Sequence, residues 1–159
     1  LMRLLPKLAA LLAVINVGVL SVSATVDPDT GNLVRTIESK GYTVTLEPCP
    51  ANVEGWMNYV SKKMVICNHS DLGSADAHDT VRHEGWHIVQ SCKTGGDLAP
   101  VLAKRDDFVH FVQSNLPQSM IQMVTTSYPT DKQATELEAS TAARVMTAAQ
   151  VMTALNTYC

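Results

Sequence analysis

His83-Glu84-Gly85-Trp86-His87 is the stretch of this chain with the clearest chemical content. Residues four apart on a helix lie on one face, so the two imidazoles can converge on a single zinc ion. Glu84, next to His83, can reach a water held by that ion. Such a water, acidified by the metal and deprotonated by the carboxylate, attacks a carbonyl carbon that the same ion polarises, and Glu84 then passes the proton to the leaving amine. This chemistry calls for a third protein ligand, with the fourth position left to water.

The third ligand is not a histidine of the HExxHxxGxxH type, because Gln90 and Lys93 occupy the last two positions of that pattern. Asp97, Asp106 and Asp107 stand in no recognisable motif, which leaves the two downstream glutamates of Thr135-Glu136-Leu137-Glu138-Ala139. On a regular helix Glu138 lies nearer than Glu136 to the face formed by Val145, Ala149 and Met152. Thr135 and Glu138 also fit a capping box if the helix starts late.

An HExxH helix completed by a glutamate from a later helix resembles the gluzincin type of zinc metallopeptidase. The resemblance covers His83 to His87 and Glu136 to Ala139, the latter matching the Glu-x-x-Ala pattern of several gluzincin families. It implies a Zn2+ cofactor held by His83, His87 and Glu136, with Glu84 as catalytic base and a peptide or protein as substrate. Ser140 departs from the Asp, Asn or Glu that those families often carry after the alanine. A tetrahedral oxyanion needs a further donor; Tyr128, just ahead of the ligand helix, is the first candidate, with Arg144 and His110 behind it. Asp79 and Gln90 fall close to the His83/His87 side of their helix and can support the ligands or a neighbouring loop. His69 and His78 stand outside the motif, while Trp86 and the stretch Met120 to Met123 read as core.

The histidines must ride on a helix from about Ala75 to Cys92, capped by Ser74, ended by Gly95-Gly96, and burying Ala77, Val81 and Ile88 on one face. Ahead of it the sequence predicts a helix over Leu33 to Lys40 stopped by Gly41, then strands over Tyr42 to Leu46 and Lys63 to Asn68. Pro48, Pro50 and Gly55 mark the loop between those strands, with Trp56 and Tyr59 available to cover the sheet. Further helices are expected from about Ala99 to Asn115, from Pro117 to about Thr126, and from about Asp131 to Tyr158. The order gives an α+β class: a small helix-rich, zincin-like domain with a short β-hairpin or sheet packed on the motif helix.

Residues 2–24 have the layout of a secretory signal peptide: Arg3 and Lys7, an apolar run from Leu8 to Val22, and the small-residue triplet Val22-Ser23-Ala24. The run is shorter than the roughly 20 residues that span a bilayer. The expected organisation is therefore a leader over 1–24 and one domain over 25–159, secreted or periplasmic, with no membrane anchor after cleavage. Export favours disulfides, and Cys49 with Cys67 and Cys92 with Cys159 is the expected pairing. No Cys-x-x-Cys pair supports a four-thiolate zinc. A length of 159 residues, 46% of them apolar and 17% charged, fits a single globular domain. Loss of Arg3 and Lys7 with the leader moves the net charge from -3 to -5, so the chain has no basic patch for nucleic acid. A second function class fits the same features: a non-enzymatic exported protein whose small core is stabilised by disulfides or a structural metal.

Overall fold

The computed structural model describes residues 28–68, 75–102 and 105–159. Over these the chain runs α1 (Pro28–Ser39), β1 (Thr43–Glu47), β2 (Gly55–Asn58), β3 (Lys63–Cys67), α2 (Ala75–Thr94), a short 3-10 turn (Arg105–Asp107), α3 (Phe108–Asn115), α4 (Gln118–Ser127), α5 (Thr130–Val145) and α6 (Ala148–Tyr158). The class is α+β, with helices outnumbering the strands of a small mixed sheet. The leader over 1–24, the Ser74 cap and His69 lie outside the described residues.

Within the described residues α1 is already helical at Pro28, ahead of the expected Leu33, with Asp29 in that turn. Its Leu33 and Ile37 are fully buried, and Gly41, at φ +85°, turns the chain into β1. β1 and β3 run parallel, Thr43 opposite Lys63 and Glu47 opposite Cys67. On the other side of β3 lies β2, antiparallel, with Gly55 opposite Ile66. The central strand is correspondingly the most buried, Met64, Val65 and Cys67 being inaccessible. β2 falls within the expected loop: four residues beginning with glycine carry too little pattern to be read as a strand without the partner that pairs them. Trp56, expected as a cover for the sheet, is itself a β2 residue and 39% exposed, with the Lys63 ammonium 5.8 Å from its ring centroid.

α2 is the hub, packing on α5, α6, α1 and the sheet. Ala77, Val81 and Ile88 are buried as expected, joined by Trp86 and Val89. Gly85 sits where α1 and α6 converge: a Cβ there would lie 3.4 Å from both Ile37 Cδ1 and Val151 Cγ1. A second, smaller apolar cluster joins Val112, Leu116, Val124 and Leu137 from α3, α4 and α5.

Two helical expectations are corrected. Ala99 to Phe108 is not continuous helix, and α3 starts only at Phe108. Pro100 biases Ala99 away from helical backbone, and the N–H groups of Val101 and Leu102 are bound by the Glu138 carboxylate instead of by a preceding turn. The long helix expected from Asp131 to Tyr158 breaks at Met146 and Thr147. There Thr147 Oγ1 accepts from the Gln150 N–H at 3.2 Å while Gln150 Oε1 accepts from the Thr147 N–H at 2.8 Å, a reciprocal cap that starts α6 afresh. The break lets Val151 and Leu155 of α6 fold back onto α1 and α2.

Both expected disulfides are present, with Cα–Cα distances of 5.4 Å for Cys49–Cys67 and 5.3 Å for Cys92–Cys159. The first fastens the chain after β1 to the end of β3, the second fastens the end of α6 to the last turn of α2. Among the described residues no helix is long and apolar enough to cross a membrane. A chain this small has a limited core, so cross-links that restrict the unfolded state carry a large share of its stability. Loop-closure entropy assigns about 4 kcal/mol to the Cys92–Cys159 bridge, which spans 67 residues, and about 3 kcal/mol to Cys49–Cys67, which spans 18. Replacing Cys92 and Cys159 together by serine is expected to cost about 2–4 kcal/mol, more than the same change at Cys49 and Cys67, as read by denaturant unfolding under non-reducing conditions.

Candidate metal centre

α2 carries His83 and His87 one turn apart on the face turned toward α5. Their Nε2 atoms are 3.1 Å apart, and Glu136 Oε2 lies 3.4 Å from His83 Nε2 and 3.5 Å from His87 Nε2. A tetrahedral zinc bonded at about 2.0–2.1 Å spaces its ligand atoms about 3.3 Å apart, so this triangle has the edge lengths of one face of such a site. The donor set, two imidazoles and a carboxylate, suits zinc as well. Among the described residues this is the His/Cys/Asp/Glu cluster with metal-binding geometry, and it resembles the HExxH-plus-glutamate arrangement of zincins. His78, Asp97, Asp106 and Asp107 do not join it.

The triangle has one wet and one dry side. His83 and Glu136 line a cavity of about 520 Å³, together with Glu84, Tyr128, Met120 and Met123. His87, by contrast, is 4% exposed and backed by protein. Its Nδ1 is 2.7 Å from Gln90 Oε1, and Gln90 Nε2 donates to Glu138 Oε1 at 3.1 Å and to the Thr135 carbonyl at 3.2 Å. Glu138 is wholly buried and accepts further hydrogen bonds from Trp86 Nε1 at 2.9 Å and from the N–H groups of Val101 and Leu102 at 2.8 Å each.

The two downstream glutamates are thereby separated. Residues two apart on a helix diverge by roughly 200°, so Glu136 turns to the histidines while Glu138 turns into the α2–α5 interface. The helical-face argument for Glu138 does locate its buried side, but that side holds Trp86 and Gln90, not the imidazoles. The capping-box explanation fails because α5 already starts at Thr130, and Thr135 Oγ1 donates to the Leu98 carbonyl at 3.2 Å.

Tyr128 follows α4 as its C-cap and, like Arg144, lines the cleft. His110 is exposed on α3 and does not reach the cleft. Asp79 pairs with Arg82, whose Nε donates to the Ala143 carbonyl at 2.8 Å and so ties α2 to α5. Met120 packs on the smaller apolar cluster and also lines the cleft, whereas Met123, expected as core, is 49% exposed and serves as cleft wall, because α4 buries only Val124 fully. Gly55, a loop marker by sequence, instead starts β2 and is a packing position. A Cβ there would lie 2.6 Å from Thr80 Cγ2 and 2.9 Å from the Val65 carbonyl oxygen, so the missing side chain is what lets β2 approach α2 beside Glu84. The signal that could have found the Glu138 network is the Trp86/Gln90 pair, two hydrogen-bonding side chains four residues apart on the motif helix.

Charges in the cluster are strongly coupled. Burial pushes the Glu136 carboxyl up, but hydrogen bonds from His83 and His87 outweigh it and hold the group down at about 2. Burial acts to lower His87, yet the hydrogen bond to Glu136 and the nearby Glu84 carboxylate raise it above its ordinary 6.5. Comparison of the chain with protein-family models, with curated proteins and with solved structures finds no match.

A pH dependence follows. A depressed carboxyl contributes stability above the ordinary 4.5 that is lost as pH falls toward 2, and a raised imidazole contributes stability below 6.5 that is lost as pH rises through its folded value. The metal-free cluster is thus self-paired from the mid-acid range to above 6.5, with a proton on His87 that a cation must displace. Zinc affinity, measured by competition with a chelating dye, is expected to keep rising with pH above 6.5 and to be accompanied by proton release in calorimetry across buffers of different ionisation enthalpy.

Proposed function

We propose that this chain is an exported zinc-dependent peptidase that hydrolyses peptide bonds, with Glu84 as general base. The observation that carries the reading is the triangle of His83, His87 and Glu136 donor atoms at the edge of a cleft that also holds Glu84. Zinc, when bound there, supplies a Lewis acid and brings the pKa of a water toward neutrality.

The remaining work falls to side chains of this protein. Burial raises the proton affinity of Glu84, the neighbouring His83 and His87 lower it, and Glu136 raises it again. Burial is the largest of these effects and leaves the proton affinity raised overall, which suits a carboxyl that takes a proton from an attacking water and returns it to the leaving amine. Tyr128 keeps its proton, since burial and the carboxylates of Glu136 and Glu84 all push its phenol up. It is therefore suited to donate a hydrogen bond to the oxygen on which negative charge develops. Met120 and Met123 offer an apolar wall for substrate side chains. Export is supported by the leader-like residues 2–24 and by the two disulfides, which fit an oxidising compartment.

The metal in this reading is catalytic, not structural. The cluster lies at the rim of the core, between α2 and α5 packed through Arg82, Trp86 and Gln90, and the disulfides anchor α2 and the sheet independently. Chelation should then abolish peptide hydrolysis while leaving circular dichroism unchanged.

Purified protein is expected to hold one zinc per chain by elemental analysis. Glu84→Gln should retain that zinc but lose about 10²–10⁴-fold in kcat against a mixed peptide library. Absence of stoichiometric zinc sinks the metal reading; a zinc-loaded Glu84→Gln variant as active as wild type sinks the mechanism. Tyr128→Phe should lower kcat by about 10²-fold with little change in KM.

A further inference from the structure

Gln90 and Glu138 are fully buried polar side chains that touch no cleft, and the proposed chemistry does not use either directly. Their hydrogen bonds nevertheless lead to the metal ligand His87 in a fixed sense. The Gln90 amide has two protons, and both face groups that only accept: Glu138 Oε1 at 3.1 Å and the Thr135 carbonyl at 3.2 Å. The carbonyl end of the amide must then face His87, 2.7 Å from Nδ1. An amide oxygen only accepts, so Nδ1 is protonated, and in the neutral ring Nε2 keeps its lone pair. That lone pair is the one turned toward His83 and Glu136.

We infer that Glu138 is a positioning residue for His87: by binding the NH₂ end of Gln90 it fixes which way that amide points, and hence which ring nitrogen is free to bind a cation. Rotation of the amide by half a turn would present N–H groups to Nδ1 and leave Nε2 protonated, the tautomer that cannot ligate. Glu138 is itself held by Trp86 Nε1 and by the N–H groups of Val101 and Leu102, so the connector that follows α2 stabilises the tautomer at one remove. The inference rests on the metal-site reading of His83, His87 and Glu136, and is independent of whether peptides are the substrate.

The test uses metal-free protein with ¹⁵N-labelled histidine at alkaline pH, where the imidazole is neutral, and reads the His87 tautomer from long-range ¹H–¹⁵N correlation spectra. Wild type should show the proton on Nδ1. Gln90→Leu and Glu138→Leu should both lose that preference, and zinc affinity should fall about 10–100-fold in each. Where Glu138→Leu does not fold, Glu138→Asp keeps a carboxylate near the backbone N–H groups but withdraws it from Gln90, and the same loss is expected. Thr147→Ala removes the cap of α6, away from this network, and should lower stability while leaving the tautomer and zinc affinity unchanged. A folded Glu138 variant with His87 still protonated on Nδ1 and undiminished zinc affinity overturns the inference. If wild type binds no zinc but its tautomer still follows Glu138, the positioning role stands and the metal reading falls.

Discussion

Two imidazoles and a carboxylate brought within 3.5 Å of one another form the constraint around which this small domain is arranged. Without a cation such crowding depends on a shared proton and on rigid neighbours. α2 and α5 supply the rigidity, joined by a hydrogen bond from the Arg82 side chain to the Ala143 carbonyl, by the buried Trp86–Glu138 contact and by the Gln90 amide. A buried carboxylate left without partners would be costly, yet Glu138 meets side-chain and backbone donors on both of its oxygens. The interface therefore has strong directional preferences as well as apolar contact. An error of even one position in the α2–α5 register would break both the network and the triangle.

The same helix serves the core and the cleft. Around the α2 axis, Val81, Ile88 and Val89 face the apolar core, Trp86 and Gln90 face the buried network, and His83 and Glu84 face the opening. Gly85 lies under α1 and α6, where a Cβ would make ordinary contact with Ile37 and Val151, while Gly55 of β2 lies against Thr80 of α2. At Gly55 the space a Cβ would need is already in use. The bridges Cys49–Cys67 and Cys92–Cys159 then hold the sheet and the last helix against this hub, which suits a domain with few residues to bury.

Glu136 and Glu138 show how closely spaced residues of the same type acquire different work. Separated by one leucine on α5, they point to opposite sides of the α2–α5 seam. One completes the donor triangle, while the other organises the amide behind a member of that triangle. Leu137 between them joins the second apolar cluster with Val112 and Val124, so the rotation of α5 is set on a third side as well. Rotation, not identity, distinguishes the two carboxylates.

Several features were legible from local sequence because local physics decides them. The four-residue spacing of His83 and His87 puts both rings on one helical face whatever surrounds that helix. Gly41 and the Gly95-Gly96 pair end helices through backbone freedom that other residues lack, and the apolar pattern of Lys63–Cys67 suits a buried strand. Element order favours the disulfide pairing, since Cys49 and Cys67 flank one short segment, but only the fold decides among the three connectivities that four cysteines allow. Other features required tertiary structure. β2 exists because β3 pairs with it, and the 98–102 connector is extended because Pro100 and the Glu138 carboxylate compete with helix formation. The restart at Thr147 is local, a Thr/Gln capping box visible in sequence but hidden by the continuous alanine-rich pattern around it. The choice of Glu136 over Glu138 is the deepest case: both sit on the same helix, and only the packing of α5 against α2, fixed by contacts some fifty residues apart in sequence, decides which carboxylate meets the histidines.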